Sequence, residues 1–218
     1  MSEKKPEEMR SFFDSRSESY DRHMQENVSS FKEFYRKIAQ TIPQTEEPVK
    51  ILDLGCGTGL ELEEILKRTP RALITGIDLS AEMLDKLREK YIDFSDQIHL
   101  IQGNYLEEDL GHEVFAYAVS VMTVHHLLPG PKQDLYNKIY SALRPEGKYI
   151  EGDYYVTPQK EKEYLEKYKA VDEEGRGHYH IDLPFSLETQ KKLFSLAGFS
   201  RVELIWKEGE SGIFVAEK

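Results

Sequence analysis

Cysteine is almost absent from this 218-residue chain, which has a single one, Cys56. One thiol excludes an intramolecular disulfide and any zinc site built from several cysteines, a usage that fits a reducing cytosol. Long apolar runs are missing too. No stretch approaches the roughly 20 residues of a membrane helix, and the charged start, Met1 to Glu8, lacks the apolar centre of a secretory signal. The expectation is a cytoplasmic protein with no membrane partner. Positive charge is in deficit: 29 Lys and Arg against 40 Asp and Glu give a net charge of -11. A polyanion meets net repulsion from such a chain, so sequence-independent nucleic-acid binding is disfavoured. Internal repeats and low-complexity tracts are also lacking.

What is present argues for a folded protein. Hydrophobic residues make up 39%, with 10 Phe and 13 Tyr, and the mean hydropathy of -0.60 describes a well-solvated surface around that core. The length suits one domain, because two cores would each be thin. The segment from Phe12-Phe13 to Ile38 has apolar residues at helical spacing and reads as one or two helices before Pro43 and Pro48. Strand and helix patterns then alternate: a strand over 49–54, a helix over 60–67, a strand over 72–77, and a helix capped by Ser80. Further strands are read at 98–101, 114–122 and 147–155, with a helix at 133–143. Such alternation predicts parallel strands with crossover helices. The last third departs from it. A charged helix over 159–171, a loop over 173–184 and a helix over 187–197 precede two strands, 202–206 and 213–216, which read as an antiparallel hairpin.

Gly55-Cys56-Gly57-Thr58-Gly59 lies between a strand and a helix, where glycine permits positive φ and lets a ligand approach the backbone. Asp78 ends the next strand, placed to bind ribose hydroxyls. Leu60 stands where the dinucleotide fingerprint G-x-G-x-x-G requires glycine, so NAD is disfavoured. No Lys-Ser or Lys-Thr follows, which removes the phosphate-loop reading.

These segments resemble the class I S-adenosyl-L-methionine (SAM)-dependent methyltransferases. Ile51 to Gly59 is similar to their first motif, Gly76 to Leu84 to the second, Gln102 to Tyr105 to the third, Val124 to Leu127 to the fourth, and Leu143 to Lys148 to the loop after it. Phe12 to Asp21 is similar to the N-terminal cap of small-molecule members. The resemblance implies a Rossmann-like α/β fold: a doubly wound, seven-stranded, mostly parallel sheet, with a C-terminal antiparallel hairpin and an N-terminal helical cap. It implies one domain over 1–218, with a cap or lid over 1–45 and a substrate-side insertion over 157–184. It further implies SAM as cofactor, with Gly55, Gly57 and Gly59 along its methionine and ribose portion, Asp78 on the ribose and Leu79 on adenine. Asn104, where aspartate is more usual, would meet the adenine edge. Asp53 would orient the glycine turn or the methionine amino group, and Tyr20, Met83 and Tyr105 complete the set.

The implied reaction moves a methyl group to a small-molecule acceptor, because the segments around the expected pocket are rich in Tyr, Phe and His. Two other readings stay open, an RNA-modifying enzyme and a SAM-binding sensor or partner without catalysis. His125 and His126, taken as the end of the fourth strand, would point in different directions, one toward the transfer site as base or substrate ligand. His178, His180 and Asp182 alternate onto one side of an extended segment, and His180 joins the catalytic candidates. That trio also has metal-ligand chemistry, but with no further ligand in view no metal is assigned.

Overall fold

The computed structural model describes residues 7–169 and 178–218. Three helices, α1 (Met9–Asp14), α2 (Tyr20–Asn27) and α3 (Phe31–Gln40), precede the first strand. The alternating part follows as β1 (Lys50–Leu54), α4 (Leu62–Arg68), β2 (Leu73–Asp78), α5 (Ala81–Lys90), β3 (Ile98–Gln102), β4 (Phe115–Val121), α6 (Pro129–Ala142) and β5 (Leu143–Val156). The chain closes with α7 (Pro158–Lys167), β6 (Phe185–Ser186), α8 (Leu187–Leu196), β7 (Arg201–Glu208) and β8 (Ser211–Glu217). The loop read over 173–184, and the end of the helix read to 171, fall partly outside the described residues.

The strand order is β3-β2-β1-β4-β5-β8-β7, parallel through β5 and antiparallel for β8 and β7. This is the Rossmann-like sheet with its C-terminal hairpin. The sheet has eight strands rather than seven. The extra one, β6, is only two residues long and pairs parallel with Tyr155 and Val156 at the far end of β5, too short to leave a period-two pattern in the sequence. The chain leaves β1 to build β2 and β3 on one side and returns to place β4 on the other. That reversal opens a crevice beyond the carboxyl ends of β1 and β4.

Alternation along the strands divides the core between the two faces of the sheet. Leu52, Leu54, Ala118, Tyr149 and Phe214 pack with α6 and α8 on one face, and Ile51, Val119, Ile150 and Ile213 pack with α3, α4 and α5 on the other. Helix α3 belongs to this second layer. Its Phe34 and Ile38 have no exposed surface, each such burial stabilising by about 1.5–3 kcal/mol. They reach the sheet over Gly152, where a Cβ would come within 2.6 Å of Ile38 and 2.8 Å of Phe34. Helix α3 is therefore a layer of the domain.

One buried polar cluster crosses the other layer. Glu151 accepts from the hydroxyls of Tyr136 (2.6 Å), Tyr149 (3.0 Å) and Tyr155 (3.0 Å) and from Gln190 Nε2 (2.8 Å). Burial pushes its pKa up to about 7, against the pull of Lys132. The backbone of Glu8 bridges that of Tyr179 in antiparallel sense, Met9 N–H donating to the His178 carbonyl and His180 N–H to the Glu7 carbonyl. This backbone clasp ties the N-terminal segment to residues 178–180. Among the described residues no helix is long and apolar enough to cross a membrane.

Candidate active site

The glycine turn leaves β1 with three positive φ angles, +68° at Gly55, +46° at Gly57 and +71° at Gly59, the region where a Cβ is penalised. The three differ in what surrounds them. A Cβ on Gly55 would collide with the Thr123 side chain, and one on Gly59 would press on Tyr91, Leu87 and Leu62 at 3.0–3.2 Å. At Gly57 a Cβ would meet only the Tyr20 ring, at 3.9 Å. Gly57 thus presents bare backbone to open space. Asp78 anchors this backbone, its Oδ2 accepting from Gly57 N–H at 2.8 Å and its Oδ1 from Ser80 N–H at 2.9 Å. Ser80 caps α5 through Met83 N–H at 3.1 Å. Burial raises the Asp78 pKa, while these backbone hydrogen bonds hold it back.

A narrow cleft opens beside this turn. Of the residues read from the sequence as cofactor-binding, Tyr20, Gly55, Gly57, Asp78, Leu79, Met83, Asn104 and Tyr105 line it. Asp53 and Gly59 do not. Gly59 is turned into the packing of α4 and α5, its carbonyl accepting from Tyr91 Oη at 2.6 Å. Asp53 falls on the α4 side of the sheet, 1% exposed, facing the equally buried Glu61. No N–H or O–H donor among the described residues reaches either Asp53 oxygen or Glu61 Oε1. Burial pushes both carboxyls above their ordinary range and favours a proton held between them.

Met9, Phe13, Met122, Thr123, His126 and Leu127 complete the cleft. The first two come from the N-terminal helices, which are latched to the ligand-side turns: Thr58 Oγ1 donates to Asp21 Oδ1 and Ser80 Oγ to Asp14 Oδ1, each at 2.5 Å. Met122 takes a left-handed φ of +50° where β4 ends, costing on the order of 1–3 kcal/mol. From there the chain enters a single 3-10 turn over Val124–His126.

That turn changes the disposition of the histidines. On a strand they would diverge, but here the two rings lie 3.9 Å apart, both 5% exposed. Each is fixed through Nδ1, His125 by Asp153 Oδ1 at 2.5 Å and His126 by the Ile181 carbonyl at 2.7 Å. Asp153 also accepts from His125 N–H at 3.1 Å. Burial pushes the Asp153 carboxyl up, yet His125 and the hydrogen bonds outweigh it and the pKa is lowered. Burial, then the neighbouring His125 and His180, hold His126 well below the ordinary histidine value. Burial likewise lowers His180, against the pull of Asp182. His180 stacks on Phe12 with centroids 3.4 Å apart. His178 does not join them, lying instead 3.4 Å from Glu107.

These imidazoles border a second cavity of about 410 Å³. Phe13, Tyr20, Met122 and His126 line both spaces. The histidine and tyrosine contributors were visible in the sequence as residue types. Asp153, buried within β5, and Asp21 and Asp14 on the N-terminal helices carried no local signal, because their partners are distant along the chain.

Residues 51–147 match the family model described as a methyltransferase domain. Over that segment the chain is similar to class I SAM-dependent methyltransferases, and its sheet has their Rossmann-like order. More particularly, the chain is similar to proteins named carboxy-S-adenosyl-L-methionine synthase. It is 28% identical over 222 residues to that of Desulfotalea psychrophila, covering 92% of this chain and 89% of the relative. To that of Wolinella succinogenes it is 27% identical over 186 residues, covering 77% and 75%. Human N-acetylserotonin methyltransferase, solved in complex with SAM, superposes with a TM-score of 0.69 at 18% identity over 97% of this chain, a likeness of fold alone. The chain spans 59% of that protein and 60% of a Nostoc punctiforme structure it also matches.

Proposed function

We propose that this protein is an enzyme that binds SAM in the narrow cleft and transfers its methyl group to a small-molecule acceptor held in the adjoining imidazole-lined cavity. The observation that carries this reading is the shared wall: a cleft bounded by Gly57 and Asp78 adjoins a histidine-lined space, and both are lined by Phe13, Tyr20, Met122 and His126. The residues present fit SAM. Gly57 lets a ligand lie against the turn without meeting a side chain, and Asp78 keeps further lone pairs for ribose hydroxyls.

When bound, SAM supplies a methyl carbon on a sulfonium sulfur; that C–S pair returns to sulfur, leaving S-adenosylhomocysteine (SAH), as the acceptor's lone pair forms the new bond. The protein's own work is alignment and proton removal. Tyr20 and Phe13 cover the cleft and exclude water. The imidazole nitrogens of the second cavity are the groups that meet the acceptor, and they take its proton where it has one. Met122, held in its left-handed conformation, sets the spacing between the two spaces.

The relatives' name supports a second reading, in which SAM is itself carboxylated. A carboxylate would call for a cation, and the only Lys or Arg among the described residues lining either space is Arg16. It lies over the Phe12 ring and 3.5 Å from Glu7. The same scarcity counts against RNA as acceptor. Mass spectrometry after incubation with SAM and panels of small acceptors and carboxyl donors tests the choice. SAH with a methylated acceptor is the expected result; carboxylated SAM points to the second reading. Calorimetry that detects NADH but neither SAM nor SAH would reject both.

A further inference from the structure

We propose that His125, His126 and Asp182, with His180 at their edge, form a binding site for one divalent transition-metal ion in the second cavity. One oxygen of Asp182 organises the group. Its Oδ1 lies 3.8 Å from His125 Nε2, 3.7 Å from His126 Nδ1 and 3.9 Å from His180 Nε2. These separations exceed a hydrogen bond. The His125 and His180 separations fall inside the ~4.2 Å that two ligands can span when each is about 2.1 Å from one ion; the His126 separation is to Nδ1, which the Ile181 carbonyl holds, so that ring ligates through its other nitrogen. Taken as a set, one ligand atom from each of His125, His126 and Asp182 lies within 4.8 Å of the others, so a shift of about half an ångström gathers them around an ion at such bond lengths. Asp182 is the member free to move, its side chain 59% exposed at the cavity while both histidines are buried.

Outer partners are in place as well. A metal-bound imidazole commonly donates its other N–H to a carboxylate or a backbone carbonyl, which fixes the ring and the tautomer. Asp153 does this for His125 and the Ile181 carbonyl for His126, and ligation through Nε2 keeps both hydrogen bonds. Asp153 has no exposure to speak of, at 2%; its role is to aim His125. Phe12 stacked on His180 closes the far side. Two or three imidazoles with one carboxylate suit zinc, iron, cobalt or nickel better than magnesium or calcium, which prefer all-oxygen sets. Such a set leaves coordination positions open toward the cavity. If the cavity is the acceptor site, a reading this step rests on, the acceptor class is a small molecule with an ionisable oxygen, which the ion would hold in its deprotonated form, in place of proton removal by the His125 and His126 rings that then ligate it.

The test uses the untagged full chain stripped with a chelator and titrated with Co(II), followed by visible absorption and calorimetry. One ion per chain is expected. Asp182→Asn, at an exposed position, and Asp153→Asn should each weaken uptake by roughly 10–100-fold, while His99→Gln, at an exposed residue on β3, leaves it unchanged. Absence of saturable Co(II) uptake, or uptake indifferent to Asp182→Asn, overturns the site. SAH calorimetry on the same samples separates the two proposals: SAH binding without Co(II) uptake rejects the ion site alone, and Co(II) uptake without SAH binding rejects the donor cleft alone.

Discussion

Asp21 Oδ1 accepts a 2.5 Å hydrogen bond from the hydroxyl of Thr58, tying the second helix to the middle of the glycine turn. Asp14 does the same for Ser80 at the cap of α5. The N-terminal helices therefore hold the two turns that bound the cleft. A hydrogen bond to a charged group contributes about 1.5–3 kcal/mol, and partial exposure of Asp21 puts it at the low end. Asp21→Ala is expected to weaken SAH binding roughly tenfold with little change in the far-UV circular dichroism spectrum. Calorimetry giving an unchanged affinity would show the helices to be a passive wall.

Gly57 and Gly59 should separate ligand binding from stability. Gly57→Ala adds a methyl group that the protein has room for, so its cost is mainly backbone, about 1–2 kcal/mol, while SAH affinity falls steeply because the methyl enters the cleft. Gly59→Ala pushes on Tyr91, Leu87 and Leu62, adding a packing cost of about 1–3 kcal/mol with less effect on affinity once folded. Thermal melts paired with calorimetry distinguish them. Equal losses of affinity in the two variants would contradict the assignment.

Besides its proposed ribose role, the Asp78 carboxylate holds Gly57 and Ser80. Asp78→Ala should lower both melting temperature and SAH affinity. Asp78→Asn keeps one oxygen acceptor and should recover much of the stability while remaining on the order of tenfold or more weaker in binding. An asparagine variant that binds SAH like the parent would remove the ribose role.

Glu151 gives the fold a pH dependence. It faces Lys132 and Tyr136 from α6, Tyr149, Asp153 and Tyr155 along β5, and Gln190 from α8. With a folded-state pKa of about 7 against 4.5, the folded protein keeps a proton that the unfolded chain releases between those values. This contribution is fully present below pH 4.5, declines as pH rises to 7 and is gone above it. Glu151→Gln should flatten that decline, the difference from the parent amounting to about 3 kcal/mol across the window. Urea melts at pH 5, 6 and 8 measure it; parallel profiles for the two proteins would refute the shifted pKa.

What the sequence made legible was local. The β1 strand, the glycine turn, the Ser80 cap and the closing hairpin each show in a few adjacent residues. The histidine pair was visible as chemistry but misplaced in direction, because Met122 turns left-handed and Val124–His126 winds into a 3-10 turn where strand alternation no longer applies. His178 shares the period of His180 and Asp182 but not their company, since residues 178–180 are set by the clasp with Glu7 to Met9. The pairings Asp153 with His125, Asp21 with Thr58 and Asp14 with Ser80 join separate elements, and no pattern within one element encodes them. Strand β6 was hidden by its length.

The clasp between Glu8 and Tyr179 is made by backbone groups on both sides. Its hydrogen bonds do not depend on the exposed Tyr179 side chain, although Glu8, Met9 and His180 carry contacts of their own. If the second cavity holds the acceptor as proposed, residues facing it can change while these backbone bonds persist, which makes this corner of the fold a place where new selectivity can evolve.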